Sequence, residues 1–466
     1  MDDESTVSLT EGNLVRPMTN HLVPILAMGL LQTSYNFIDI FWLGRWSTNA
    51  VGAISLAFPV IFLILSLGSG FVVAGSALVS QYVGAGHETR ASKMSGQTLL
   101  LVGITSVVLG GFGYAFAGTL FEVIPTQSQT ASDVVPLVTE FMRVFFVGLP
   151  TLLLFSAFSA IMRGYGDTRT PMYIMAASIT INVVLDPLLI FGTGPIPEFG
   201  ISGAAIATVV ARGVAVVVGL ALLFLSSYGP DVDLVHLGPD LADLYELLRI
   251  GTPSSIEDAS TSLAILTVAL FVASFPPAVV VAYGVGTRVL SFVQMVGGAF
   301  GQTTNTTVGQ NLGAGQPERT RRAIRLAGVG VSGVMVALAV LVAVFAEPIS
   351  RLFLVDSSAQ TAMAVDHSVT YLRVLAVGFV FSGIFETVLG AYRGAGSTRT
   401  ALGFSLVALW VGRVLVVVVL TAYVGMDAMG IWVGMITSSV VGSIVASLWM
   451  ARGTWMDAVI EERSVA

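Results

Sequence analysis

Cysteine is absent from the 466 residues, which excludes disulfides, thiolate metal ligands and cysteine nucleophiles together. Charge is scarce. Asp, Glu, Lys and Arg make up 11% of the chain, less than half of the roughly 25% usual in soluble domains. Lysine occurs once, at Lys93 in a polar loop, so the intramembrane lysine of a retinal Schiff base is missing. His21, His87, His236 and His367 are scattered without metal-ligand spacing, and no metal-enzyme role follows. A secretory leader needs a basic start, but Asp2, Asp3 and Glu4 stand there instead, so the first apolar segment is expected to be retained. The 28 acidic residues outnumber the 21 basic ones, for a net charge of −7, which argues against nucleic acid as a partner.

Apolar residues are abundant. They form 55% of the chain before 50 glycines are counted, and the mean hydropathy is +0.87. A soluble chain of this length would form about three domains, each coated with charge. The composition excludes that and makes the bilayer the solvent for most of the chain. No Asp, Glu, Lys or Arg occurs between Arg45 and Glu88, Lys93 and Glu122, Asp258 and Arg288, Arg288 and Glu318, or Asp427 and Arg452. With Gly, Pro and polar clusters as punctuation, twelve helices are predicted: 17–44, 50–83, 95–118, 136–162, 171–192, 201–228, 252–275, 279–311, 324–346, 367–392, 400–422 and 429–452. The tails and even-numbered connections hold fourteen basic residues, the odd-numbered connections only Arg45 and Arg351. Positive charge collects on the cytoplasmic side, so both termini are expected there.

The chain repeats itself. Val83-Gly84-Ala85-Gly86 returns as Leu312-Gly313-Ala314-Gly315, and Arg163-Gly164-Tyr165-Gly166-Asp167-Thr168-Arg169-Thr170 as Arg393-Gly394-Ala395-Gly396-Ser397-Thr398-Arg399-Thr400, at offsets of 229 and 230. Met142-Arg143-Val144 matches Leu372-Arg373-Val374, and Pro24 matches Pro253, in the same register. Six spans per half give the second half the orientation of the first, as in parallel repeats related by an axis along the membrane normal. The expected fold is an all-α membrane protein of twelve transmembrane helices in two six-helix bundles. The divisions are a cytoplasmic tail 1–16, an N-lobe 17–228, an acidic cytoplasmic link 229–251, a C-lobe 252–452 and a cytoplasmic tail 453–466. Two similar bundles facing each other can open a cleft to either side by rocking, which favours a transporter. A ligand-gated channel or receptor gains nothing from that repeat.

A charge at mid-bilayer costs at least ~2.5–3.5 kcal/mol, so each one needs a reason. Gln32, Asn36 and Asp39 are spaced i, i+4, i+7 on helix one, a single face. Ser178, Asn182 and Asp186 share a face of helix five, with Met175 one turn toward the cytoplasm. Asp39 lies about 22 residues and Asp186 about 15 residues from the cytoplasmic ends, so at ~1.5 Å per residue they are close enough in depth to meet. Two carboxylates with amides can hold a proton, since two negative charges resist being buried together. They can equally hold a hard cation such as Na+, which wants several oxygens. A purely structural polar network is the competing reading. The second half has no copy: Val268 and the apolar stretch around Val416 occupy the equivalent places. Arg143, Arg212, Arg288, Arg373 and Arg413 read as snorkelling or pairing residues. Pro24 lies below Asp39 on helix one, as a static kink or as a bend that responds to Asp39. The Arg-Gly-x-Gly loops look like phosphate cradles but lack the lysine of a P-loop. Glycine C-caps followed by Asp or Thr N-caps explain them as tight turns.

Four segments carry a resemblance: Asn36-Phe37-Ile38-Asp39 with Gly44, Gly84-Ala85-Gly86, Arg163 to Pro171, and Asn182-Val183-Val184-Leu185-Asp186-Pro187. With them the chain resembles the multidrug and toxic compound extrusion family from Pro24 to about Met450, in the branch related to DNA-damage-inducible protein F. The resemblance implies efflux of amphipathic or cationic compounds in exchange for inward H+ or Na+, by alternating access of two lobes. It implies an ion-coupling set of Asp39, Asn182 and Asp186, with Thr208 as the nearest helix-six threonine, and Na+ possible at the first three. It places substrate against Gln32, Tyr35, Asn36, Met175 and Ser178, and a hinge at Pro24. The other bacterial branch has an acidic residue in helix ten where this chain has Ser382, so a C-lobe cation site of that type is not expected, and Glu386 does not replace it. No catalytic residue, enzyme activity or cofactor is implied. The expected partners are small molecules and membrane lipid, with the chain a monomer in the cell membrane. The alternative is a lipid or lipid-linked oligosaccharide flippase, which would want a basic cavity for phosphates where this N-lobe is acidic.

Overall fold

The computed structural model describes residues 9–122, 132–226, 229–354, 359–453 and 455–456. Of the two expected tails, 1–8 and 457–466 lie outside these. Twelve long helices are described: α1 Val15–Trp46, α2 Thr48–Gly84, α3 Glu88–Glu122, α4 Val135–Tyr165, α5 Arg169–Phe191, α6 Gly200–Leu225, α7 Leu241–Val272, α8 Pro277–Gly313, α9 Pro317–Val344, α10 Ala359–Gly394, α11 Thr398–Tyr423 and α12 Asp427–Met450. Two short pieces, Leu234–Leu237 and Ala346–Phe353, lie between them, and the described residues contain no strand. Eleven of the twelve are long and apolar enough to cross a membrane. The other, α1, has the length, 32 residues, but Gln32, Thr33, Ser34, Asn36 and Asp39 dilute its apolar character.

Each repeated glycine motif is a helix stop. Gly166 follows α4 with φ 107°, a conformation open to glycine because it has no Cβ. The Asp167 amide then reaches back to the Met162 carbonyl at 2.9 Å, closing the six-residue loop of a Schellman motif. Asp167 Oδ1 accepts the amides of Arg169 and Thr170 at 2.8 and 3.0 Å, which starts α5. Gly396 repeats the arrangement, with Ser397 N donating to Tyr392 O at 2.8 Å. The loops are turns rather than phosphate cradles.

The chain forms two compact units, residues 19–258 and residues 9–18 with those from 259 onward, divided inside α7. In the first unit α4 packs on α2, α3 and α6, and α5 packs on α6. In the second, α10 packs on α8, α9 and α12. α4 and α10, counterparts by the repeat, have the most buried apolar stretches of the eleven spans. The stretch read as the link, 229–251, divides in two: Asp240 Oδ1 accepts the amides of Ala242 and Asp243 at 2.9 and 3.3 Å, so α7 is already under way at Leu241. Lys93 holds Asp240 at 2.5 Å and Asp243 at 3.0 Å, and Arg90 reaches Asp243 at 3.0 Å. Gln97 adds bonds to the carbonyls of His236 and Gly238, both at 2.7 Å. The segment before α7 is therefore tied to the start of α3.

Candidate functional site

Three helices of the first unit build the site. Small residues let α6 approach α5: a Cβ at Gly203 would run into the Leu189 and Ile190 backbone, the close approach that glycine permits between membrane helices. Ser178 on α5 seals that contact by donating to the Ala211 carbonyl at 2.9 Å. α1 presents Gln32, Tyr35, Asn36 and Asp39 to the same region.

The carboxyl groups of Asp39 and Asp186 lie within electrostatic reach of each other. Asp186 has no exposed surface, Asn182 has 2% and Asp39 is half-buried. Asn182 Nδ2 donates to Asp186 Oδ1 at 3.3 Å. Three further oxygens in the cluster, Asp39 Oδ1, Asn182 Oδ1 and Asp186 Oδ2, are buried without a hydrogen-bond partner among the described residues. Buried oxygens of this kind are costly unless something positive meets them. The donor set is all oxygen, the chemistry of a proton or a hard cation. No group of three or more His, Cys, Asp or Glu that could hold a metal ion occurs among the described residues, so a bound cation here would need the Asn182 amide beside the two carboxylates.

Around this pair the remaining site residues hold one another. The Tyr35 hydroxyl lies 2.5 Å from Thr208 Oγ1. Thr208 gives its own proton to the Ala204 carbonyl at 3.0 Å, so Tyr35 is the donor between them. Gln32 Nε2 donates to Asn36 Oδ1 at 3.3 Å. Arg212 of α6 donates to Gln32 Oε1 at 2.5 Å, with its guanidinium 5.3 Å from the Phe155 ring centroid and 6.0 Å from that of Tyr35. Met175 is buried on the same face of α5 as Asn182, two turns nearer the start of the helix. Pro24 is buried inside α1, four turns before Asp39.

Arg212 is the residue that sequence reasoning left out of the site. Its signal was one helical turn after Thr208, which places both on one face of α6. Snorkelling does not describe it, since it is 8% exposed and engages Gln32. In the second unit the equivalent positions are apolar: Val268 is 2% exposed, and Val416 is half-buried beside the buried Val417. Ser382 is buried there, and Glu386 lies 4.0 Å from Arg393.

Comparison with known proteins gives a consistent set. A family model described as MatE matches residues 24–188 and 253–419, one match in each half of the repeat. The probable multidrug resistance protein YoeA of Bacillus subtilis is 30% identical over 427 residues, covering 90% of this chain and 89% of that protein. A protein of Shewanella oneidensis described as a FAD transporter is 30% identical over 380 residues, 81% of this chain and 82% of its own length. A crystal structure of MATE in complex with MaL6 superposes with a TM-score of 0.88 at 23% identity, over 96% of this chain and 98% of that one. This last likeness concerns the fold.

Proposed function

The chain belongs to the MatE family of membrane transporters, and on that premise we propose that it exports amphipathic or cationic organic compounds in exchange for an inward H+ or Na+. As a multi-pass membrane transporter of the multidrug-efflux class it moves small molecules and performs no enzymatic chemistry. In the proposed cycle a cation enters between Asp39 and Asp186, with Asn182 completing the ligand set. The two lobes, 17–228 and 252–452, alternate access around the link 229–251, and helix α1 adjusts at Pro24. Substrate is met by Gln32, Tyr35, Asn36, Met175 and Ser178, and Thr208 holds Tyr35 in place. The chain works as a monomer in the cell membrane with both termini in the cytoplasm.

One observation carries this reading: oxygens of α1 and α5 converge, buried and unpartnered, at a single place in the first unit. A network built only for packing would satisfy them. The test is dye movement in proteoliposomes under imposed pH or Na+ gradients. Loss of driven movement in Asp39→Asn and in Asp186→Asn supports the assignment, and intact coupling in both removes it. The comparison that separates the ions is a pH gradient without Na+ against a Na+ gradient at equal pH. The Shewanella relative favours a second cargo, and the same vesicles loaded with FAD in place of dye distinguish a flavin dinucleotide carrier from a multidrug one.

A further inference from the structure

The second unit contains a buried positive charge that the coupling scheme does not use. Arg413 sits near the middle of the 26-residue span α11 with 5% of its surface exposed, too deep to snorkel to either interface. A guanidinium stays charged in a protein and offers five N–H donors. Nε and Nη2 donate to Ser438 Oγ at 3.2 and 3.0 Å. Ser438 passes its own proton to the Met435 carbonyl at 3.0 Å, so this hydroxyl is saturated and brings no charge. Among the described residues no carboxylate pairs with Arg413.

A second, independent feature stands beside it. Tyr371 has no exposed surface, and its hydroxyl has no hydrogen-bond partner among the described residues. Its ring is fixed by stacking, on Tyr283 with centroids 6.3 Å apart and on Trp432 with centroids 4.0 Å apart. Both tyrosines lie within electrostatic reach of Arg413. A guanidinium without a counter-charge and an O–H without an acceptor are both donors, and an anion is what satisfies both.

The backbone is arranged for the same place. Val407–Leu415, the turns that carry Arg413, are wound as π-helix, a rare geometry that is frequent at functional sites. Gly412 allows α12 to come close, since a Cβ there would press on the Ser438 backbone. The repeat offset of 230 maps Thr208 onto Ser438 and Asn182 onto Gly412. Where the first unit gathers carboxylates, the second places a guanidinium and phenol hydroxyls.

We propose that Arg413 and Tyr371 form a binding site for one negative charge in the C-terminal unit, supplied by free chloride or by a carboxylate group on a transported molecule. An intramembrane cation needs a partner, and here the protein supplies only neutral dipoles. Ser438 orients the guanidinium, and the tyrosine–tryptophan stack holds the hydroxyl.

The purified full-length protein tests this in two arms. In the first, thermal unfolding is followed while NaCl replaces sodium isethionate at constant ionic strength. In the second, proteoliposomes export either ethidium, which has no carboxylate, or a carboxylate-bearing fluoroquinolone. If the anion is free chloride, the unfolding midpoint rises saturably with chloride. Arg413→Gln then abolishes the rise, and Tyr371→Phe raises the half-saturating concentration about tenfold, the value of one hydrogen bond to a charge. If the anion belongs to the cargo, chloride has no effect, but Arg413→Gln and Tyr371→Phe lower fluoroquinolone export about tenfold or more and leave ethidium export unchanged. A wild-type midpoint indifferent to chloride, together with equal effects of these substitutions on both cargoes, overturns the proposal. Should Arg413→Gln not fold, Tyr371→Phe decides alone: it removes one oxygen from a stacked ring, and no change in either arm overturns the site.

Discussion

Asp186→Asn is the sharpest test of the proposed ion site, because it removes the charge and keeps the shape of the side chain. The side chain has no exposed surface, and asparagine matches aspartate in shape. Asn182 Nδ2 donates to Asp186 Oδ1 at 3.3 Å, and an asparagine carbonyl accepts in the same place. The amide nitrogen then takes the position of Oδ2, which has no partner, and turns toward Asp39 as a donor. It fills the place where an ion would be held. Asp39 and Asp186 each contribute one unpartnered oxygen, enough for a single ion between them. For a proton, a gradient of one pH unit is worth about 1.4 kcal/mol, a tenfold concentration ratio of a monocationic dye in one-for-one exchange. Wild-type proteoliposomes should therefore drive the dye to about ten times its equilibrium distribution per pH unit, and Asp186→Asn should leave it at equilibrium. The same variant should bind dye and unfold close to the wild-type temperature. Full driven accumulation in Asp186→Asn would refute the site, and a collapse of the unfolding temperature would refute the claim that the amide fits.

Three further outcomes follow from contacts in the first unit. Asp240, half-buried beside the Lys93 ammonium and accepting hydrogen bonds from the amides of Asp243 and Ala242, is held down to about 2, below the ordinary carboxyl value of about 3.9. A depressed carboxyl stabilises above its unfolded value and loses that contribution as pH falls through its folded one. Amide exchange in 229–240, corrected for its intrinsic pH dependence, should rise between about pH 4 and 2, and be flat there in Asp240→Asn. Gly70→Ala should cost about 1–3 kcal/mol, read as a lowered unfolding midpoint, because its Cβ would meet the Gly251 and Ser255 backbone, whereas Gly111→Ala meets nothing and should be neutral. Thr208→Val should cost about 1 kcal/mol by removing one acceptor of the Tyr35 hydroxyl, less than a stranded donor would cost because the Asp39 carboxyl also lies within its reach, and adding Tyr35→Phe should lower the midpoint further. Equal midpoints for that single and double variant would show the remaining contact of the Tyr35 hydroxyl to be unimportant.

Much of this molecule is legible in one dimension. Charge-free runs longer than a bilayer needs mark the spans, and α1 escapes a hydropathy criterion for the reason that it matters: its polar stripe reaches Asp39. The Arg-Gly-x-Gly loops appear as turns in both readings, because a positive φ leaves glycine as the natural residue. Other features were hidden. Arg212 was set aside with the other intramembrane arginines, although its hydrogen bond to Gln32 places it in the site. Gln32 and Tyr35, read as substrate contacts, are also engaged by Arg212 and Thr208. Arg413 looked like any snorkelling residue until its depth and its neutral neighbours were visible.

The amino-acid order alone determined the membrane environment, the sixfold-by-two repeat, and the polar faces of α1 and α5. Those are properties of transfer free energy and of a 3.6-residue period, and each is local to a helix. The tertiary structure decided which oxygen faces which. The meeting of Asp39 with Asp186, the Tyr35–Thr208 pair and the lone guanidinium of Arg413 depend on how near two helices lie and how each is rotated. Contacts between residues far apart in the chain set those distances, such as Gly203 against the Leu189 backbone and Gly412 against Ser438. No periodicity within a single segment encodes them.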